Sequence, residues 1–360
     1  MVSPVLLLVL ASSLAAQHDS EYAGHHGEPS VAASGFQVLH EEEHQDLVML
    51  MGPVRLPAQG HSMRLTPARA VVVPVDGWLT RFRTRVVDTN GAELPSEILH
   101  HINLVRPGRR ELFMPVMQRL AAAGQETGEI AVPFPFGIPV SRGDTILVVA
   151  MVHNPTGRPL SVTVEGRLHY DTPEWLNRVD VQPFYMDIRP PPEGAAFDLP
   201  PGRSTFSWEG SPAIDAELLG LGAHMHAHAV EVRLEELRPG AEDRVLWRAT
   251  PVFRPDGSVG EIPRKRFLLR LGLGLSRDKT YRIVAVYDNP TGDTIPAGGM
   301  AELAGVAMPD EPWPAADRTS DKYVADYRSF TRHNPELQML AAATSPDATE
   351  PGAVREDGHH

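Results

Sequence analysis

Residues 144–157, DTILVVAMVHNPTG, recur as residues 279–292, KTYRIVAVYDNPTG, at a constant offset of 135. Seven positions are identical: Thr145 and Thr280, Val149 and Val284, Ala150 and Ala285, Asn154 and Asn289, Pro155 and Pro290, Thr156 and Thr291, Gly157 and Gly292. Each copy reads as a buried strand running into an Asn-Pro-Thr-Gly turn. A period this long is too large for a solenoid unit and predicts two similar domains. The residue ahead of the turn differs: His153 in the first copy, Asp288 in the second.

Outward from both copies, the chain from about residue 36 is a series of short β-type runs broken by Pro, Gly and Asn, such as LSVTVEGRLHY and AVEVRLEEL. Those two alternate as strands with one wet face do. With 34 Pro and 30 Gly in 360 residues, the chain has the turns of an all-β sandwich, not of a helical bundle or a βαβ protein. One inserted helix is expected at 115–124, PVMQRLAAAG. The boundary is expected near 180, ahead of FYMDIRPPPEG, giving domains over 36–180 and 181–310. The β pattern then stops. Residues 311–360 are expected to carry helices at 320–330 and 335–342 and to end disordered.

Residues 17–35 read as a polar, disordered lead-in. Residues 1–16 carry a short apolar run and then small residues, the pattern of a cleaved signal peptide. That run is too short for a permanent membrane helix, and no later segment is apolar for long enough, so no membrane span is expected. An exported protein follows, periplasmic or secreted. Its 46 acidic and 33 basic side chains, net charge -13, argue against nucleic acid as a partner. The absence of Cys excludes disulfides, thiolate metal sites, a Cys nucleophile and blue copper.

The informative side chains are His and Met. In GAHMHAHAV, strand periodicity puts His224, His226 and His228 on one face, where His224 and His226 can reach one ion; histidines in water are the plain alternative. His100 and His101, in EILHHINLV, would point to opposite faces of a regular strand, so joint ligation needs a twist or bulge. His153 ends its strand just before a tight turn. Met300, after Gly298 and Gly299, reads locally as core. Imidazole with a thioether, and no thiol in competition, points to copper before zinc.

Taken together, ILHHINLV, AMVHNPTG, GAHMHAHAV and VYDNPTGDTIPAGGMAEL resemble, in order and spacing, the motifs of the copper type II, ascorbate-dependent monooxygenases. That family includes peptidylglycine alpha-hydroxylating and dopamine beta-monooxygenases and bacterial relatives. The resemblance covers about 90–310. It implies two tandem antiparallel jelly-roll-like β-sandwiches and two copper ions. His100, His101 and His153 would hold the electron-transfer copper. His224, His226 and Met300 would hold the copper where O2 binds and a C–H bond of a small-molecule substrate is hydroxylated. Ascorbate or another small-molecule reductant would supply electrons. His228 is not expected as a primary ligand.

Gly222 stands where the peptide enzyme has Arg, Glu302 and Ala304 replace its Asn and Tyr after the Met, and Met151 replaces its Gln. Substrate recognition therefore does not carry over. Two other readings are open: a non-catalytic exported copper-binding or copper-handling protein, and a cupin-like single-metal enzyme using His224, His226 and Glu231.

Overall fold

The two copies of the repeat become the strands Thr145–Asn154 and Tyr281–Asn289, each ending at its Asn. The computed structural model describes residues 30–31, 34–58, 60–124, 129–173, 177–253, 259–267 and 272–343. The turn after each strand is built the same way. Asn154 Nδ2 donates to the Pro57 and Arg158 carbonyls at 2.6 and 2.9 Å, while its Oδ1 accepts from the Thr156 amide and hydroxyl at 2.9 and 2.7 Å. Asn289 repeats the set with Leu199 and Asp293 at 3.1 and 2.8 Å, and with Thr291 at 3.1 and 2.7 Å. A buried amide that satisfies four backbone and hydroxyl groups explains why the Asn and Thr recur together.

The likeness extends to the whole topology. In the N-terminal half one sheet has Gly60–Leu65, Thr145–Asn154, Leu99–Arg110 and Met117–Gly124 as successive neighbours. The facing sheet orders Phe136–Val140, Gly77–Asp88, Leu160–Asp171 and Asp46–Leu56. In the C-terminal half Gly202–Gly210, Tyr281–Asn289, Ala229–Glu236 and Arg244–Ala249 form one sheet. Leu273–Leu275, Ala216–Met225, Ala301–Pro309 and Gln182–Asp187 form the other. Counting these eight strands of each half in chain order, both halves have sheets 2-7-4-5 and 6-3-8-1, the order of an antiparallel jelly roll. The protein is all-β, as expected.

Each pair of sheets encloses its own apolar core. Val181 belongs to the first core and Phe184 to the second, so the change of core falls at the start of the buried strand Gln182–Asp187. The cores are not sealed off: Leu112 and Phe113 enter the second, and Leu219 the first.

Two local expectations change. Residues 115–124 contain the strand Met117–Gly124 and no helix. Its Leu-Ala-Ala-Ala run has helix propensity, but the ladder to Leu99–Arg110 takes up its backbone groups and nearly every residue is buried. Within the 17–35 lead-in, Ser30–Val31 pairs in parallel with Arg64–Leu65, where an edge strand offers free backbone groups. Residues 1–16, expected to be a signal peptide, lie outside the described residues, as do 344–360, expected to be disordered.

The C-terminal helices are Asp321–Thr331 and Pro335–Ala343, the first capped by the Ser320 hydroxyl, which accepts from the Tyr323 amide. They cover one end of the sheet that carries Thr145–Asn154, with Tyr323 and Leu337 buried against Val105, Met117 and Leu147. Among the described residues no helix is long and apolar enough to cross a membrane.

Candidate metal centres

The adjacent histidines sit on a β-bulge. Along Leu99–Arg110, His101 faces Met151 and Leu99 faces Val152, so two steps on one strand match one on the other, and His100 is the extra residue. Leu99 and Ile102 both stay in the core, leaving His100 and His101 free of strict alternation. A second irregularity, between Val152 and Asn154 against Gly60–Leu65, falls on His153. The His100 ring comes within 5.1 Å of the His101 ring and 6.2 Å of the His153 ring, centroid to centroid. The bulge that joint ligation required is present. Burial pushes the His101 pKa down to about 4, and its Nδ1 is buried with no hydrogen-bond partner among the described residues.

The second set is built by strand register. His224 faces Glu302 and Met225 faces Ala301 across Ala216–Met225 and Ala301–Pro309. The next step continues that register, the His226 amide donating to the Met300 carbonyl at 3.2 Å. Opposed residues share a face, so His224, His226, Met300 and Glu302 lie on one side of the sheet. Met225, Ala301 and Leu303 fill the core on the other. The His224 and His226 rings are 5.5 Å apart and nearly perpendicular, at 87°. Tyr287 braces the turn from below: its hydroxyl donates to the Met300 carbonyl and accepts from the Met300 amide at 3.2 Å. Burial, and then His226, push the His224 pKa down to about 3, and its buried Nε2 has no hydrogen-bond partner among the described residues.

His228 does not share this face. The strand stops at Met225, and His228 occupies the turn to the next strand with φ 64°, where strand periodicity no longer applies. Glu231 lies on a different sheet and is held by Arg233 at 2.6 Å and Arg248 at 3.2 Å, away from the His224–His226 set. The HxH-x4-E spacing therefore does not close into one site.

Sequence reading missed the group that joins the halves. Arg119 projects from Met117–Gly124, the strand whose Gly124 faces His101. Its guanidinium bonds Glu111 at 2.8 Å, Asp187 at 2.6 Å and Glu302 at 2.8 Å, and stacks 4.2 Å above the Tyr185 ring. Tyr185, Asp187 and Glu302 belong to the face that carries His224, so both histidine sets project from the two sheets that meet here. Burial alone would lower the Arg119 pKa, but Asp187, Glu111 and Glu302 raise it well above its ordinary value. Glu111 is pushed up to about 7 by burial, against the pull of Arg119. The four residues are scattered at 111, 119, 187 and 302, with no spacing that could announce them.

Two imidazoles on one ion, with metal–nitrogen distances near 2 Å, have ring centroids on the order of 4.5–6 Å apart. The His100–His101 and His224–His226 separations fall within that span, and His100–His153 lies just beyond it. His101 and His224, each kept neutral by burial and each with a ring nitrogen that meets no donor or acceptor among the described residues, suit a metal ion. No group of three or more His, Asp or Glu side chains is drawn into a closed ligand set among the described residues. The fit is therefore pairwise, with His153 and Met300 adjoining.

No family model matches the chain. No curated protein matches it. Among solved structures it is similar to PNGase F, a glycosylasparaginase from Flavobacterium meningosepticum, at 11% identity over 75% of this chain and 98% of that one, with a TM-score of 0.37. It is also similar to the major capsid protein P2 of bacteriophage PM2, at 10% identity over 78% of this chain and 99% of that one, with a TM-score of 0.35. No residue role follows from likenesses at this level.

Proposed function

We propose that this chain is an exported copper-dependent monooxygenase acting on a C–H bond of a small substrate, with O2 and a reductant such as ascorbate. The observation that carries the reading is the pairing of two His sets on the two sheets that meet between the halves, with His101 and His224 held neutral by burial. His100, His101 and His153 would hold one copper ion; His224, His226 and the thioether of Met300 would hold the other. When bound, two coppers supply two electrons for R–H + O2 + 2 H+ + 2 electrons → R–OH + H2O.

The chain's own residues do the rest. The bulge at His100 aims two successive imidazoles to one side of the sheet. Tyr287 fixes the Met300 backbone beside His226. The Arg119–Glu302 ion pair anchors the strand that bears His224's neighbour across the ladder.

One observation favours the non-catalytic alternative, an exported copper-binding or copper-handling protein. Met300 and His226 are each only 3% exposed, and Arg119 fills the face beside His224. Binding needs only the ligands; turnover also needs room for substrate.

Copper analysis of the purified protein tests both. Two coppers per chain are expected, with a Cu–S contribution in X-ray absorption of the reduced protein that Met300→Leu abolishes. That substitution should cost under about 1.5 kcal/mol of stability as a packing change. Ascorbate-dependent O2 uptake coupled to a hydroxylated product separates enzyme from binder. One zinc or one iron per chain sinks both.

A further inference from the structure

A groove of about 300 Å³ lies between the helix Asp321–Thr331 and the edge strand Arg69–Val72 of the N-terminal half. Its floor is Leu147, Tyr323 and Leu337, all buried, and its outer wall is Val72, 62% exposed. Tyr323 is fixed by its hydroxyl, which donates to the Pro107 carbonyl at 3.0 Å. The Tyr327 ring lies nearly parallel to it, 6.1 Å away at 25°. Tyr327, half-buried, offers apolar ring surface beside the floor that Tyr323 forms.

The groove has one charged group at its rim. Arg318 lines it and acts electrostatically on both tyrosines, yet makes no hydrogen bond or ion pair among the described residues. The neighbouring acid, Asp317, is committed to the Thr319 amide and hydroxyl at 2.9 and 2.6 Å. An exposed Val, a floor and wall of tyrosine, and a guanidinium unmatched among the described residues together describe a site for a flat apolar body with one negative end. A volume near 300 Å³ is at the small end for organic ligands and accommodates one or two fused rings. A guanidinium matches a carboxylate in two parallel hydrogen bonds.

We propose that this groove binds a small aromatic carboxylate, with the ring system against Tyr323 and Tyr327 and the carboxylate on Arg318. The site is separate from the histidine sets. Leu147 and His153 share one strand but are six residues apart, about 20 Å at 3.3 Å per residue. The proposal therefore stands or falls independently of copper.

The test is titration of the full chain with 2-naphthoate, followed by methyl NMR, with neutral 2-naphthalenemethanol as the comparison. Saturable shifts are expected at the Val72, Leu147, Val324 and Leu337 methyls. Arg318→Gln, at an exposed position, should weaken naphthoate at least fivefold and leave the alcohol unchanged. Val72→Trp should fill the groove from its outer wall and abolish both. Absence of saturable shifts at these methyls overturns the proposal, as does naphthoate affinity unchanged in Arg318→Gln. A doubled mass in solution that Val72→Trp reverts and naphthoate does not also overturns it, because a second copy of the chain would then be the occupant.

Discussion

The two histidine sets occupy non-equivalent places in a duplicated fold. His100, His101 and His153 belong to the 2-7-4-5 sheet of the first half, whereas His224, His226 and Met300 belong to, or adjoin, the 6-3-8-1 sheet of the second. The strand that matches the His153 strand in the second half carries Asp288 instead, on the sheet that faces away from the Arg119 contact. The two halves share the strand order and the Asn turns. Both histidine sets lie on the two sheets that meet between the halves. One cation shared by three buried carboxylates helps to hold that contact, beside Leu112, Phe113 and Leu219, which cross between the cores.

Removing that cation is the hardest blow to the comparison. Arg119→Met leaves Glu111, Asp187 and Glu302 buried without their partner, and should cost about 3–5 kcal/mol in urea unfolding. Metal affinity should fall more at the His224 set, whose strand neighbour Glu302 loses its anchor, than at the His100 set. A loss under about 1 kcal/mol would mean that Arg119 does not hold the sheets together.

Acid distinguishes the sets in the metal-free protein. The His101 and His224 pKa values are depressed in the fold, from 6.5 to about 4 and about 3. Their contribution to stability is full above pH 6.5 and is lost as pH falls, because the unfolded chain takes up protons that the folded chain refuses. Each group should remove about 1.4 kcal/mol per pH unit below 6.5. Glu111 works the other way: its pKa is raised from 4.5 to about 7, so it adds stability as pH falls through that interval. Urea midpoints between about pH 4 and 7 should show His101→Asn and His224→Asn each flattening the acid loss by one proton. The effect of His224 should persist about one unit further down. If neither variant changes the slope, these imidazoles are not held neutral by burial.

The shared turn tests how far the halves are alike. Asn154→Ala and Asn289→Ala remove the same hydrogen-bond set and should each cost about 1–3 kcal/mol. The two losses should be similar, and hydrogen exchange should accelerate mainly around the altered turn. A large cost for one and none for the other would show that the repeated turn supports only one half.

His228 should matter least. His228→Gly relieves a left-handed backbone position and should leave stability within about 1 kcal/mol of the parent. Metal affinity at the His224 set should drop by no more than about 10- to 100-fold. Complete loss of that metal would make His228 a ligand despite its turn.

Much of the fold was legible because it is written in local chemistry. The Asn-Pro-Thr-Gly turns, the apolar strands ahead of them and the helix expected at 320–330 each depend on residues a few positions apart. The helix expected at 115–124 failed for the complementary reason: an Ala-rich run has helix propensity, and only the neighbouring strand and the far half converted it to sheet. The His224–His226 pair was legible from period two, but His228 was not, because nothing in HMHAH marks where the strand stops.

By itself, the sequence determined an all-β chain with a repeated strand and turn, the residue types of two candidate metal sets, and the exclusion of thiolate chemistry. Tertiary structure alone decided the bulge that brings His100 and His101 to one side, the register that sets Met300 beside His226, and the union of Glu111, Arg119, Asp187 and Glu302. Turns and alternation arise from contacts a few residues long, so their pattern survives in the linear order. Bulges, register and buried charge clusters arise between strands far apart in sequence, and nothing but the packed sheets selects them.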